Sequence, residues 1–263
     1  MTPEIVDIGF WELGFGLFFI LIAGIASFFH ALKLERDLLI GTVRTFAQLF
    51  LMGYILKIIF DIDNMLMVLS IFMFMIFFAA RTIYGRIKEK QISFFFPTFL
   101  SMMISFFFVT FMVTAVIVGV KPWWKPQYFL PLGGMVIGNS MNAIAIALER
   151  LLGDLRTKRN EIEMKLCHGA DYKEASQEVV RSAMKAGMIP SINSMMAVGM
   201  VFIPGMMTGQ ILAGANPVAA IKYQIVVMVM IVGATTMGTL SVVLIVRKLC
   251  FSPGHQLLLR PGK

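Results

Sequence analysis

Seven long apolar runs organise this chain, at residues 13–32, 38–60, 65–85, 94–120, 129–149, 191–212 and 217–246. A helix needs about 20 apolar residues to cross the hydrocarbon core of a bilayer, whereas a barrel strand needs only about 10. Lipid offers no water to bond free backbone N–H and C=O groups, so a spanning segment must be a helix or a strand of a closed barrel. Runs of this length exclude barrel strands. The expected fold is an all-α polytopic membrane protein with about seven transmembrane helices, forming a single permease domain over residues 1–263. Composition agrees, since 58% of the 263 residues are hydrophobic and 14% charged, against about a quarter charged in soluble domains. Soluble, disordered and nucleic-acid-binding classes are excluded, and no length remains for a separate catalytic domain.

Basic residues set the expected orientation, because loops rich in Lys and Arg stay in the cytoplasm. With the N-terminus outside and the C-terminus cytoplasmic, 18 of the 23 basic residues fall inside and four outside (Lys57, Lys121, Lys125 and Lys222), with Arg44 inside a run. The net charge of +8 is thus a topology signal. Glu4, Asp7, Glu12, Asp61 and Asp63 lie at external ends, and Trp123 and Trp124 are placed as interfacial anchors. Spans two and four are the least regular, and two spans pairing as a re-entrant element is an open alternative. The start lacks a basic n-region and a small-residue cleavage site, so no removed signal peptide is expected. Cys167 and Cys250 both fall on the cytoplasmic side, where a reduced, unpaired state is expected.

One polar segment, 149–189, interrupts the apolar pattern. Its first part carries Leu148, Leu151, Leu152, Leu155, Ile162 and Leu166 and is expected to stop at Gly169. The second opens with Asp171 and Glu174 in capping-box spacing, shows Ala175, Val179 and Ala183 at helical intervals, and is expected to close at Gly187 before Pro190. This segment reads either as a solvated loop packed on the bundle or as a docking element for a cytoplasmic partner.

Chemistry narrows the choice. Ion-coupled carriers usually keep an acid near mid-membrane, yet all 15 acids lie outside the runs or at their edges, and none follows Glu178. Gly133-Gly134-Met135-Val136-Ile137-Gly138-Asn139-Ser140 has phosphate-loop glycine spacing, but Asn139 stands where that motif needs lysine. Ser140 has no histidine base nearby in sequence, and His30, His168 and His255 sit at ends or in loops. No catalytic residue and no metal-ligand set is assigned, and no cofactor is expected on this chain. A permease that borrows energy from a separate ATPase remains, with a self-sufficient secondary carrier or cation channel, or a non-transporting scaffold, as alternatives.

The stretch Leu130–Leu151, then Gly169-Ala170 with Glu174-Ala175, then Ala186–Gly214 including Ile203-Pro204-Gly205-Met206-Met207-Thr208-Gly209, then Lys222-Tyr223-Gln224, resembles the FetB-type permeases. These are bacterial ABC-transporter membrane subunits associated with iron export, with plant relatives associated with aluminium tolerance. The resemblance runs from Arg44-Thr45-Phe46-Ala47-Gln48-Leu49 onward. It implies a plasma-membrane or inner-membrane homodimer working with two copies of a soluble ABC ATPase, which uses the ATP, to move a metal cation, iron by association, outward. It also implies that Gly169, Ala170, Asp171, Glu174, Ala175 and Val179 form the docking, or coupling, element.

Polar residues in lipid tend to face a bundle interior or a cavity. Arg44, Gln48, Asn139, Asn142, Asn193, Thr208 and Gln210 are therefore the candidate pathway residues. Arg44 also reads as a side chain snorkelling to the cytoplasmic surface, and Asn139 and Asn142 as cross-helix bonds. Gly134 with Gly138, and Gly205 with Gly209, have the small-xxx-small spacing of close helix packing. The 22 methionines, with the pairs Met195-Met196 and Met206-Met207, suit a soft metal but read first as apolar filler.

Overall fold

The computed structural model describes residues 8–62, 64–87 and 92–259. Glu4, Asp7, Asp63, Lys88, Lys90, Arg260 and Lys263, used in the charge argument, lie outside the described residues. The elements are α1 (Phe10–Phe29), α2 (Glu35–Ile62), α3 (Met65–Arg86), α4 (Phe95–Phe111) continued by a π-helical turn (Met112–Ile117), α5 (Pro126–Thr157), α6 (Arg159–Cys167), α7 (Tyr172–Ala175), α8 (Gln177–Ala197), α9 (Gly205–Leu212) and α10 (Pro217–Leu249). Among the described residues only two isolated β-bridges interrupt this all-helical pattern. Among the described residues six helices are long and apolar enough to cross a membrane: α1, α2, α3, α4 with its π turn, α5 and α10. The protein is a multi-pass helical membrane protein.

The expected sixth span, 191–212, is not a continuous helix. Its first residues are the end of α8, its last are α9, and residues 198–204 between them are non-helical. Gly199 takes φ +86°, a conformation open to glycine, and Pro204 has no N–H to continue a helical ladder. The helix predicted to close at Gly187 instead runs on through Pro190 to Ala197. Gly187 is a close-packing residue here, not a stop.

The chain divides into two compact units. One holds α1, α2 and residues 212–215. Its turn is fixed by Ser27, whose hydroxyl donates to Glu35 Oε1 at 2.8 Å and accepts from the Leu34 N–H at 3.0 Å. The other holds the remaining elements, with α5 packed against α3, α4, α8 and α10. Asn64 caps α3 and Asn216 caps α10, each side-chain oxygen accepting two backbone N–H groups, and Pro217 opens α10 as the first helical residue.

Lipid tails are as apolar as leucine, so helices in a bilayer associate through close packing rather than the hydrophobic effect. Glycine provides the closest approaches. A Cβ at Gly133 would lie 2.5 Å from the Phe72 ring, at Gly238 2.7 Å from the Phe106 ring, and at Gly187 2.6 Å from the Ala143 carbonyl oxygen. Of the expected small-xxx-small pairs, Gly134 meets only Met75 Cε at 3.2 Å, and Gly138, Gly205 and Gly209 meet nothing within 4 Å. The close approaches are made by glycines elsewhere, and of those two pairs only Gly134 meets a neighbouring helix, through the flexible end of Met75. An aromatic cluster of Phe72, Phe129, Trp123, Phe107 and Phe111, with ring centroids 5.1–6.4 Å apart, closes one end of the unit. Ser140 Oγ and Thr235 Oγ1 bond at 3.0 Å in its buried middle.

The Gly187 contact is against backbone and cannot relax by a rotamer change. Gly187→Ala should destabilise the bundle by about 1–3 kcal/mol through overpacking. Gly153→Ala, where a Cβ meets nothing within 4 Å, should gain up to about 1 kcal/mol from helix propensity. Thermal unfolding in detergent, followed by circular dichroism, checks both signs.

Candidate functional site

The site is built by the interruption between α8 and α9. Val198 N–H donates to the Ser194 carbonyl, Val201 N–H to the Ala197 carbonyl at 2.9 Å and Gly199 N–H to the Phe202 carbonyl at 3.0 Å. The chain thus turns back on itself before Pro204. There the Thr208 N–H and hydroxyl both donate to the Pro204 carbonyl, at 3.0 and 3.1 Å, and α9 begins. Met200 and Val201 stand 87% and 79% exposed at the crest of this turn.

Two cavities flank the interruption. The larger, about 390 Å³, is lined by Met195, Val198, Gly199, Met207, Gln224 and Met228 with apolar neighbours. The smaller, about 240 Å³, is lined by Met135, Asn139, Ser191, Ser194, Met206 and Gln224 among others. Gln224, Met228 and Pro204 belong to both. Gln224 is only 6% exposed, and its Oε1 has no hydrogen-bond partner among the described residues. Asn139 donates through Nδ2 to the Met135 carbonyl of its own helix at 2.8 Å. Neither cavity is lined by a charged side chain.

Of the candidate pathway residues, the structure brings only Asn139 to these cavities. Asn142 bonds across helices instead, accepting from Arg86 Nη1 of α3 at 3.2 Å. Asn193 is exposed on α8, and Arg44 and Gln48 are exposed on α2. Thr208 closes the first turn of α9, and Gln210 is partly buried with an unpartnered Oε1. Gln224 was missed as a site residue. Its signal is present in the sequence: it is the one amide between Pro217 and Leu249. Among the described residues no three His, Cys, Asp or Glu side chains converge as a metal site.

The polar elements α6, α7 and the start of α8 form a second surface, the one on which the expected docking residues lie. The capping box closes as expected, with Asp171 Oδ1 accepting the Glu174 N–H at 2.7 Å and Glu174 Oε2 accepting the Asp171 N–H at 3.1 Å. That hydrogen bond to the Glu174 amide holds the Asp171 carboxyl below its usual 3.8. Of the expected docking residues, Ala175 and Val179 are turned inward and buried at 3% and 2% exposure, together with Ala183. They cannot be presented to a partner, because helical spacing puts the whole apolar stripe on the face that packs against the bundle. Gly169 and Glu174 are exposed, Ala170 and Asp171 half-buried, and Lys173, Gln177 and Glu178 share the outer face. Glu161 and Lys165 pair at 2.8 Å, which lowers the Glu161 pKa and raises that of Lys165.

The segment after α10 folds back here. Tyr172 packs on Phe251 and His255 at 5.6 and 5.5 Å, with the Arg247 guanidinium 5.6 Å from its ring centre, and its N–H donates to His255 Nδ1 at 3.3 Å. Arg159 Nη1 donates to the Leu259 carbonyl at 2.6 Å. Cys167 and Cys250 are both free, and burial pushes the Cys250 thiol up to about 12.

A multi-pass helical membrane protein with an interrupted helix at an uncharged cavity has the layout of a permease. Residues 10–251 match the family described as "Uncharacterised protein family (UPF0014)", and the chain belongs to it. It is 38% identical over 253 residues to the UPF0014 membrane protein slr1647 of Synechocystis, covering 96% of this chain and 95% of that protein. It is 31% identical over 248 residues to the "Probable iron export permease protein FetB" of Escherichia coli, covering 94% of each. It is also 31% identical over 238 residues to Protein ALUMINUM SENSITIVE 3 of Arabidopsis thaliana, covering 90% of this chain and 86% of that one. The resemblance to FetB-type permeases is therefore established. No solved structure matches the chain.

The capping box carries its own pH test. Asp171 has a folded pKa below its unfolded value, so its stabilisation is full above the unfolded pKa and is lost as pH falls through the folded one. Amide protection across 171–176 should drop between about pH 5 and pH 3 in the wild type. Asp171→Asn keeps a capping oxygen that does not titrate and should show a smaller drop, that of the Glu174 half of the box alone, whereas Asp171→Ala should be unprotected at both pH values by hydrogen exchange.

Proposed function

We propose that this chain is the membrane subunit of an ABC exporter: a homodimer in the cell membrane that moves a metal cation outward, driven by a separate soluble ATPase. The observation that carries this reading is α8. One helix of 21 residues, about 30 Å at 1.5 Å per residue, starts at the exposed turn formed by α7 and ends at the cavities. Displacement of α7 by a partner is transmitted along α8 to Met195, Val198 and Gly199 on the cavity wall, as in rigid-body switching of packed helices.

The chemistry supports an external energy source. No carboxylate lines either cavity, so neither offers an acid for proton or sodium coupling. The docking face is the polar one, Gly169, Asp171, Lys173, Glu174, Gln177 and Glu178, and not the apolar stripe. The Escherichia coli relative, named a probable iron export permease, supports iron as the cation. The homodimer is supported by the exposed turn 198–204, since irregular backbone at membrane depth must be covered by protein or line a water-filled path.

Two measurements test this. The doubly substituted variant Lys173→Glu, Gln177→Trp should lower ATPase capture by roughly tenfold, about 1.4 kcal/mol, and abolish ATP-driven metal efflux, with thermal stability unchanged. Cation flux by the lone chain in ATP-free liposomes would overturn the coupling. Val201→Cys should cross-link two copies in native membrane, and a wholly monomeric product would remove the dimer.

A further inference from the structure

The short helix α7 is joined to two long helices. Toward α8 the link is covalent, a single residue, Ser176, between Ala175 and Gln177. Toward α10 the link is the segment after Leu249, which returns to cover the first residue of α7. That segment is a closed turn. Leu258 N–H donates to the Cys250 carbonyl and Ser252 N–H to the Gln256 carbonyl, both at 2.8 Å, and Phe251, Leu257 and Leu259 are buried. Its far end is pinned where Arg159 of α6 donates to the Leu259 carbonyl. His255 stands at its tip at φ +62°. The Tyr172 N–H belongs to the first turn of α7, whose donors have no partner within the helix. Asp171 and Glu174 cap that turn from within. His255 Nδ1 accepts the Tyr172 N–H from outside, at 3.3 Å, which requires the imidazole proton on Nε2. The Tyr172 ring lies 5.6 Å from both the Phe251 ring and the Arg247 guanidinium. Arg247 is in the last turn of α10, where the partial negative end of a helix holds a cation.

We propose that Tyr172 is a positioning residue that bolts the docking turn to α10, so that a stroke delivered to α7 moves α10 together with α8. The inference rests on the ATP-driven export reading and deepens it. Both cavities have walls from these two helices: Met195 of α8 faces Gln224 and Met228 of α10 around the larger, and Ser191 and Ser194 of α8 share the smaller with the same two residues. A stroke that reached α8 alone would shift one wall against a fixed one. Joined through Tyr172, the two walls answer to one input. α10 is suited to carry it. No proline follows Pro217 within the helix, so nothing breaks its hydrogen-bond ladder over the roughly 35 Å from Arg247 to Gln224. A tail that only filled space would need apolar contacts alone. Here an imidazole, a phenyl ring and a guanidinium converge on one tyrosine of a four-residue helix.

Two measurements test it, and the first needs no ATPase. In the purified full chain, Tyr172→Ala should speed hydrogen exchange at the Ser252 and Leu258 amides by roughly tenfold, with α5 still protected. Tyr172→Phe, which keeps the ring, should not. Asp171→Ala, which unfastens α7 alone, should also speed exchange at those two amides, and should add nothing further in the Tyr172→Ala background, because coupled sites are non-additive. The second measurement places the chain in liposomes with the soluble ATPase that co-purifies with it and counts Fe(II) exported per ATP hydrolysed. Tyr172→Ala should keep ATPase capture and hydrolysis yet lower that ratio by at least about tenfold, and Tyr172→Phe should restore it. Unchanged exchange in Tyr172→Ala, or an unchanged ratio despite faster exchange, overturns the proposal. A wild type that exports nothing with ATP would instead sink the export reading, while the exchange measurement would still decide whether α7 and α10 are joined.

Discussion

Everything in this molecule is conditioned by the loss of the hydrophobic effect between helices that are already dissolved in hydrocarbon. Association then depends on how closely helix axes approach, and three glycines set that approach. Gly133 admits the Phe72 ring, Gly238 the Phe106 ring, and Gly187 brings α8 onto the backbone of α5 at Ala143. The last contact matters most, because it clamps the middle of the helix that joins the polar surface to the cavities. A helix held at its middle against backbone can tilt or slide only as a unit.

The arrangement assigns separate work to the two ends of α8. At one end Val179 and Ala183, beside Ala175 of α7, anchor it inward, so charge and polarity are left on the outward face. At the other end the helix stops because Gly199 and Pro204 deny it continuity, and its terminus becomes part of a wall. Interrupted helices that place their ends at a substrate are a recurrent solution in membrane transport, since a helix terminus supplies oriented partial charge without an ionised side chain. That suits a lining in which no residue is charged.

Much of the fold was legible because lipid imposes a length on apolar runs. Six of the seven expected spans correspond to long apolar helices among the described residues, and the cap Asp171–Glu174 was readable from local chemistry. The remaining one, the sixth, was misread because residues 191–212 are apolar enough to span, and hydropathy is blind to a glycine in the left-handed region followed by a proline. The end of the second polar helix was misplaced because Gly187 and Pro190 are ordinary stop signals, and tertiary packing against Ala143 and Ala147 overrode them. In the site, Asn139 was found as a polar residue in an apolar run. Gln224 carried the same signal and was passed over, while Asn142, Arg44 and Gln48 show that a polar residue in a span has other fates, such as the bond to Arg86.

The length of α5 has a further effect. Its 32 residues extend about 48 Å, against a hydrocarbon core of about 30 Å. About 18 Å of helix is thus left over for the headgroup layers and the water beside them, enough to carry the Arg150–Asp154 pair, 2.9 Å apart, out of the hydrocarbon on the same unbroken helix that crosses it.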